Sequence, residues 1–326
     1  MRQLLIAAFI SLFSLCASSQ NISSGMISLD CTMDVTLSKG FTHSKVFLLN
    51  GEKFFFSHNS NNGETRIWNL EKGGNPVFSK KWSSGWTNIN FYEYKGKVYF
   101  FHQKGETGLA RINKLNYNDI MNGKKMGEKV FEANWSKGWT NTLFFVKNDI
   151  LYFLHYKSGT GLARLNASKD GSSVGTKIYE KTWSKGYSNF AMTDKGNNFY
   201  ILYQKGNEGT CVINKIDLAK LEAAANAGLM SPNLGSESYR KKWSSGWDNL
   251  IFFKLDGETY LFLNKPSTGK VHIEKLKDDG TLGPRFFEKT WSKGWTGIDI
   301  FYRNGKPQLM HQKKSTGQTK ICELKF

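Results

Sequence analysis

The phrase Trp82-Ser83-Ser84-Gly85-Trp86-Thr87-Asn88 returns as Trp135-Ser136-Lys137-Gly138-Trp139-Thr140-Asn141 and Trp183-Ser184-Lys185-Gly186-Tyr187-Ser188-Asn189. It returns again as Trp243-Ser244-Ser245-Gly246-Trp247-Asp248-Asn249 and Trp291-Ser292-Lys293-Gly294-Trp295-Thr296-Gly297, with a worn first copy at Leu37-Ser38-Lys39-Gly40-Phe41-Thr42-His43. Its glycines stand at 40, 85, 138, 186, 246 and 294, so successive copies lie 45, 53, 48, 60 and 48 residues apart. Six copies at that spacing are a repeat architecture, and the chain is read one repeat at a time.

Working outward from the second copy, residues 86–94 are rich in aromatic and branched side chains, as an inner strand should be. Lys95-Gly96 makes a tight turn into a second strand ending at His102, and the counterparts are Asn50-Gly51, Lys147-Asn148-Asp149, Lys195-Gly196, Asp256-Gly257 and Asn304-Gly305. This is two-residue hairpin chemistry, so the strands pair antiparallel. A second turn at 103–108 leads to a third strand, 109–115, and a looser connection leads to a fourth, which runs into the next phrase. Four short strands repeated six times predict an all-β fold, a six-bladed β-propeller.

The chain ends supply a check on that count. After Leu324 too few residues remain for a fourth strand in the last blade, whereas 32–38 aligns with the fourth strands that precede the other phrases. The N-terminal segment is therefore expected to complete the last blade, and Cys31 then falls near Cys322 and should be bonded to it, restricting the unfolded chain. Cys211 takes the position of Ala110 and Ala163 and reads as a buried thiol. Two departures interrupt the repeat: a lengthened connection at 116–129, and 217–230, whose Leu-Glu-Ala-Ala-Ala core reads as a short helix.

Residues 1–19 join Arg2 to the apolar run 4–17 and a small-residue exit, the pattern of a secretory signal too short to span a bilayer. The expected organisation is a signal at 1–19, a leader at 20–31 and one propeller domain at 32–326. No later stretch predicts a membrane span, so an extracellular location is expected. The net charge is +18, and removing 1–19, whose only charged residue is Arg2, leaves +17. So basic a surface attracts anions. Outside a cell the candidates are acidic glycans or other anionic polymers, and nucleic acid is not an expected partner. Asn21, Asn134 and Asn166 head glycosylation sequons.

In such a blade the fourth-to-first and second-to-third connections emerge on one face, and these are the two that the repeats preserve best. The candidate ligand-binding residues are the aromatics after the turn glycine, Trp86, Trp139, Tyr187, Trp247 and Trp295, for which burial and ligand contact both fit. An indole offers an apolar plate with a polar edge, suited to the C–H face of a sugar. His102, His155, Tyr203 and His311 open the second turn, with His58 and Asn264 one residue closer to their glycine. Lys137, Lys185 and Lys293, with Lys39 in the first copy, and 104, 157, 205, 265, 313 and 314 in the second turn, would make a positive crown. A metal centre is not expected, because one histidine per blade spreads the ligands around a ring instead of about 2 Å from one point. No Gly-x-Ser-x-Gly, His-Glu-x-x-His, phosphate loop or sialidase Ser-x-Asp-x-Gly-x-x-Trp box occurs, and the acids form no repeated pair. The chain is accordingly expected not to be an enzyme and to use no cofactor.

At its Trp-Ser-x-Gly-Trp-Thr units the chain resembles the secreted repeat propellers that include tectonin-type and tachylectin-like lectins, over 32–326 and in blade plan only. The resemblance implies recognition of glycans on cell or microbial surfaces and carries no binding residue across. The reading is a multivalent lectin-like protein, the alternative being an extracellular scaffold that holds acidic macromolecules.

Overall fold

The computed structural model describes residues 26–37, 39–231 and 235–326. Six four-stranded antiparallel sheets form the blades of a propeller. The innermost strands are His43–Leu49, Trp86–Tyr94, Asn141–Lys147, Asn189–Lys195, Asp248–Leu255 and Trp295–Arg303, which open blades 1 to 6 in that order. Neighbouring inner strands touch all the way round, blade 6 meeting blade 1. Blade 2 shows the plan: Trp86–Tyr94, Lys97–Lys104, Leu109–Leu115 and Gly127–Asn134 from the axis outward.

The second strands read as nearly continuous apolar runs because both of their faces are buried. Phe54 and Phe56 point into the core shared by blades 1 and 2, whereas Phe55 between them points into the core shared by blades 6 and 1. Phe100 and Phe101 divide in the same way between the 1/2 and 2/3 interfaces. Six apolar clusters result, each between two adjacent blades. A fully buried Phe contributes roughly 2–3 kcal/mol, so the interfaces hold the ring together.

The hairpin turns between first and second strands carry positive φ where a two-residue turn demands it, at Asn50-Gly51, Lys95-Gly96, Asn148-Asp149, Asp256-Gly257 and Asn304-Gly305. In blade 4 the turn is one residue later than the sequence suggested: Lys195 pairs with Asn198, leaving Gly196-Asn197 at the tip.

The N-terminal strand Ser28–Thr36 pairs with Gln318–Lys325 and closes blade 6. It starts four residues before the expected boundary at 32, because Ile27 is buried in the core between blades 5 and 6 and its N–H donates to Phe286 O. Cys31 and Cys322 face each other in this ladder and form the expected disulfide, while Cys211 is free and buried in the core between blades 4 and 5. The expected helix at 217–230 is α2 (Leu218–Ala227), capped by Asp217 and by Gly228 in the left-handed conformation. The connection 116–129 holds a second helix that the sequence did not announce, α1 (Tyr117–Met121), whose Ile120 packs into the core of blades 1 and 2. The signal segment and the Asn21 sequon lie outside the described residues. Among the described residues no helix is long and apolar enough to cross a membrane.

Candidate functional site

The phrase builds one face of the ring. Its glycine N–H groups reach back to the second turn of the preceding sheet: Gly85 N–H to Ser60 O at 2.7 Å, Gly138 N–H to Gly105 O at 2.9 Å, Gly186 N–H to Ser158 O at 3.0 Å and Gly246 N–H to Gly206 O at 2.8 Å. Its hydroxyls tie the same face from the other side, Thr87 Oγ1 accepting from Gly105 N–H, Thr140 Oγ1 from Ser158 N–H and Ser188 Oγ from Gly206 N–H. The second turn ends on glycines that cannot be replaced cheaply. At Gly108, with φ +83°, a Cβ would lie 1.9 Å from Trp135 O, and Gly63, Gly161, Gly209 and Gly269 meet the matching carbonyls as closely.

The last residue of the phrase clasps the neighbouring blade. Asn88 Nδ2 donates to Trp139 O at 3.0 Å, Asn141 Nδ2 to Ser188 O at 2.8 Å and Asn189 Nδ2 to Trp247 O at 3.0 Å. In blade 5 the clasp is Asn264 Nδ2 to Trp295 O at 2.8 Å, oriented by Asn249. His43 Nε2 donates to Thr87 O at 2.9 Å in blade 1. Blade 6 has Gly297 in place of asparagine, and there Lys314 Nζ crosses to Thr42 O at 2.5 Å. All six junctions are bridged. Strands with these residues also surround the mouth of the central channel, a cavity of about 370 Å³ with the Lys45–Asp299 ion pair (3.1 Å) on its wall.

The aromatics after the turn glycine are buried, from 1% exposed at Trp139 to 6% at Trp247. Each packs against the second-strand ring beside it: Trp139 stacks on His155 at 3.9 Å and Trp295 on His311 at 4.4 Å between centroids, His102 lies tilted over Trp86 at 4.1 Å, and Tyr203 meets Tyr187 edge to face at 4.6 Å. Trp247 lies 4.7 Å from His272 instead. Cations also lie over four of them, Lys104 and Arg111 over Trp86, Lys157 and Arg164 over Trp139, Lys205 over Tyr187 and Lys313 over Trp295. These rings are therefore pillars of the face, buried and packed against their neighbours. Burial holds His102 and His155 at about 3 and His311 at about 4, so the imidazoles are neutral at pH 7. Burial also pushes the Tyr203 phenol up. His58 and Asn264 pair one position further along than His102, opposite His43 and Asp248, and so belong with Gln103 and not with the histidines.

The first tryptophans behave differently. Trp82, Trp135, Trp183, Trp243 and Trp291 wedge between blades yet stay half-buried. Trp82 lies 5.7 Å from His102, Trp135 5.3 Å from His155, Trp183 4.6 Å from Tyr203 and Trp291 4.6 Å from His311. Beside them open clefts between blades. The 1/2 cleft, about 430 Å³, has Trp82, Trp86, His102, Arg111 and Asn113 on its walls. The 2/3 cleft, about 170 Å³, repeats the pattern with Trp135, His155, Arg164 and Asn166. A smaller 3/4 cleft holds Trp183 and Asn214. His102 Nε2 meets Asn113 Oδ1 at 3.2 Å and Tyr203 O–H donates to Asn214 Oδ1 at 3.1 Å, while His102 Nδ1, both ring nitrogens of His155 and Asn166 Oδ1 have no partner among the described residues. Arg111, Arg164 and the asparagines two residues on were missed as site residues. The signal was present in Leu109-Ala-Arg-Ile-Asn113 and Leu162-Ala-Arg-Leu-Asn166, where the residues alternating with the core positions are the same in both repeats.

Lys137, Lys185 and Lys293 are exposed at the turn tips. The second-turn lysines mostly lie back over the pillars, and Lys157 donates to Ser136 Oγ at 2.7 Å. Asn134 is exposed on an outer strand, whereas Asn166 is half-buried and donates to Gly175 O at 3.2 Å. Among the described residues one group of possible metal ligands lies together, Cys31, His311 and Cys322, and its sulfurs are joined in the disulfide.

No protein-family model matches the chain, and no curated protein matches it in sequence. Solved structures share the ring. The WD40 domain of Toxoplasma gondii coronin has a TM-score of 0.58 at 10% identity, over 92% of this chain and 86% of that one. The periplasmic gluconolactonase of Pseudomonas aeruginosa has a TM-score of 0.53 at 10% identity, over 79% and 72%. The Trypanosoma rangeli sialidase has a TM-score of 0.53 at 10% identity, over 89% of this chain and 55% of that one. The expectation that this chain is not an enzyme is corrected by these neighbours, because the ring it forms is one on which a lactonase and a sialidase are built and a missing local motif does not exclude activity there. At such identities the likeness shows the fold alone: the chain is a six-bladed β-propeller.

Proposed function

We propose that this protein is an exported carbohydrate-binding propeller that engages glycans on cell or microbial surfaces through the clefts between its blades. The observation that carries the reading is the repeated wall of a half-exposed tryptophan, a guanidinium and an asparagine at Trp82/Arg111/Asn113 and Trp135/Arg164/Asn166. An indole of this kind accepts the C–H face of a sugar ring, and fixed guanidinium and amide groups hydrogen-bond its hydroxyls. Trp86, Trp139, Tyr187, Trp247 and Trp295, with His102, His155, Tyr203 and His311, serve the site as the stacked floor that holds those walls in place. Repeated clefts on a rigid ring engage a polyvalent surface together, since each later contact forms at high effective concentration. The apolar leader at 1–19 and the Cys31–Cys322 disulfide support export to an oxidising compartment.

A glycan array read at two salt concentrations tests this. Selective binding that survives high salt and is lost in Trp82→Ala and Trp135→Ala is the expected result, and binding that is unchanged in both variants would sink it. The second reading, a scaffold for acidic macromolecules, rests on the exposed Lys137, Lys185 and Lys293. It predicts unselective adhesion that high salt abolishes.

A further inference from the structure

The three clefts differ most in charge. Lys80, Lys81, Arg111, Lys124, Lys125 and Lys129 line the 1/2 cleft, and no carboxylate does. Arg111 and Lys129 share Glu132, at 2.5 and 3.2 Å, and Lys125 lies 3.8 Å from Asp119. Lys80 and Lys124 have no ion-pair partner among the described residues, whereas Lys81, next to Lys80 on the strand Phe78–Lys81, turns to the other face of the blade, opposite Glu64. In the 2/3 cleft both cations, Arg164 and Lys177, are paired with Glu180, and the 3/4 cleft has no charged wall residue at all. An uncompensated positive cluster inside a concave wall focuses its field on whatever enters.

The cluster is built by the insertion that breaks the repeat. Asn116 caps α1 through Asp119 N–H at 2.9 Å, Lys124 N–H returns to Asp119 O at 2.9 Å, and Asn116 N–H bonds to Met126 O at 3.3 Å. Ile120 and Met126 are buried in the core that blades 1 and 2 share, and Tyr117 O–H donates to Glu52 of blade 1 at 2.9 Å. The loop is thus anchored to both blades, and it brings Lys124 and Lys125 to the same cleft as Lys80 and Trp82. Deeper in the same cleft, His102 is 7% exposed and its Nδ1 is unpartnered.

We infer that the 1/2 cleft is an acidic-saccharide site, in which a sulfate or carboxylate is held by Lys80 and Lys124 while the sugar ring lies on Trp82. The inference rests on the carbohydrate reading and adds a ligand class and a division of labour: the 2/3 cleft, with its cations paired, takes neutral sugar. A purely electrostatic surface would spread such binding over every exposed lysine, whereas a built cleft confines it to these two.

Calorimetric titration of the full chain tests this with three probes, a heparin-derived hexasaccharide, hexagalacturonate and neutral chitohexaose, at 50 and 300 mM salt. Double substitution Lys80→Ala/Lys124→Ala should weaken the acidic probes at least tenfold and leave chitohexaose within twofold. Lys137→Ala/Lys185→Ala, which removes as many charges outside the cleft, should stay within threefold of the unmodified protein on all three probes. Which acidic probe binds tighter tells sulfate from carboxylate. Equal losses in the two double variants, or acidic binding untouched in the first, overturn the inference. If chitohexaose still binds and is lost in Trp135→Ala, the carbohydrate reading survives that failure; if no probe binds the unmodified protein, both fall.

Discussion

Trp82 and Trp86 stand four residues apart in one phrase and do opposite things. Trp86 is enclosed by His102, Lys104 and Arg111, so truncating it removes a pillar and opens a cavity, whereas Trp82 keeps part of its ring in a cleft. The glycine that ends the second turn is equally position-bound. At Gly108 two penalties add: a side chain in the left-handed region, and a Cβ 1.9 Å from a backbone carbonyl that belongs to the same ladder and cannot move aside. Gly96 shares the first penalty, with φ +68°, but its Cβ would meet nothing within 4 Å. Gly108→Ala should therefore cost about 2–4 kcal/mol and Gly96→Ala about 1 kcal/mol in urea unfolding. Equal costs would mean that the close approach to Trp135 is not what fixes glycine there.

At the level of strands and turns, the phrase works as a clasp that is closed between blades. Asn88 uses one amide for Trp139 O and for Gln103 Oε1, both at 3.0 Å, in a place where it is itself buried. Asn88→Ala should lower stability by about 1–3 kcal/mol, because a buried carbonyl loses its donor and water does not replace it. Asn61→Ala, on an exposed turn of blade 1, should stay within about 0.5 kcal/mol. If the two variants unfold at the same urea concentration, the clasp contributes nothing. Much of this level was legible before any coordinates: glycines at fixed intervals, two-residue turn chemistry and the missing last strand are local signals, and they gave the blade count and the partner of Cys31. What was not legible is which atoms meet across a junction. His43 and Lys314 clasp in the places where asparagine is absent, and the sequence shows only that Gly297 breaks the pattern. The sequence likewise leaves both burial and ligand contact open for the indoles after the turn glycine, since spacing fixes a strand and its turn but not the side chain, such as His102 or His155, that arrives from the strand beside it.

For the molecule as a whole, the ring buries five of the six imidazoles of the chain and half-buries the sixth, His43. Burial is the leading cause in each case and holds His43, His58 and His311 at about 4 and His102 and His155 at about 3, with His272 also lowered. Cations facing them add to it, Lys314 and Lys45 at His43, Arg111 at His102, Arg164 and Lys157 at His155, Lys320 at His311 and Arg285 at His272; Asp34, Glu132 and Glu288 oppose it more weakly. The folded values lie below the unfolded one near 6.5, so the unfolded chain takes up protons that the folded chain refuses. The stabilisation is complete above about pH 6.5 and is lost as the pH falls towards the folded values, at roughly 1.4 kcal/mol per pH unit for each imidazole. Carboxylates held low by ion pairs, such as Glu132 and Glu258, join only below their ordinary value of 4.5. Urea midpoints should thus be level from pH 9 to 7.5 and fall steeply from 6.5 to 5. His102→Phe/His155→Phe should make that fall shallower by about two protons' worth, because an apolar ring can keep the stack without titrating. A midpoint that stays level down to pH 5, or a double variant with an unchanged slope, would show that these imidazoles do not govern the acid limit of the ring.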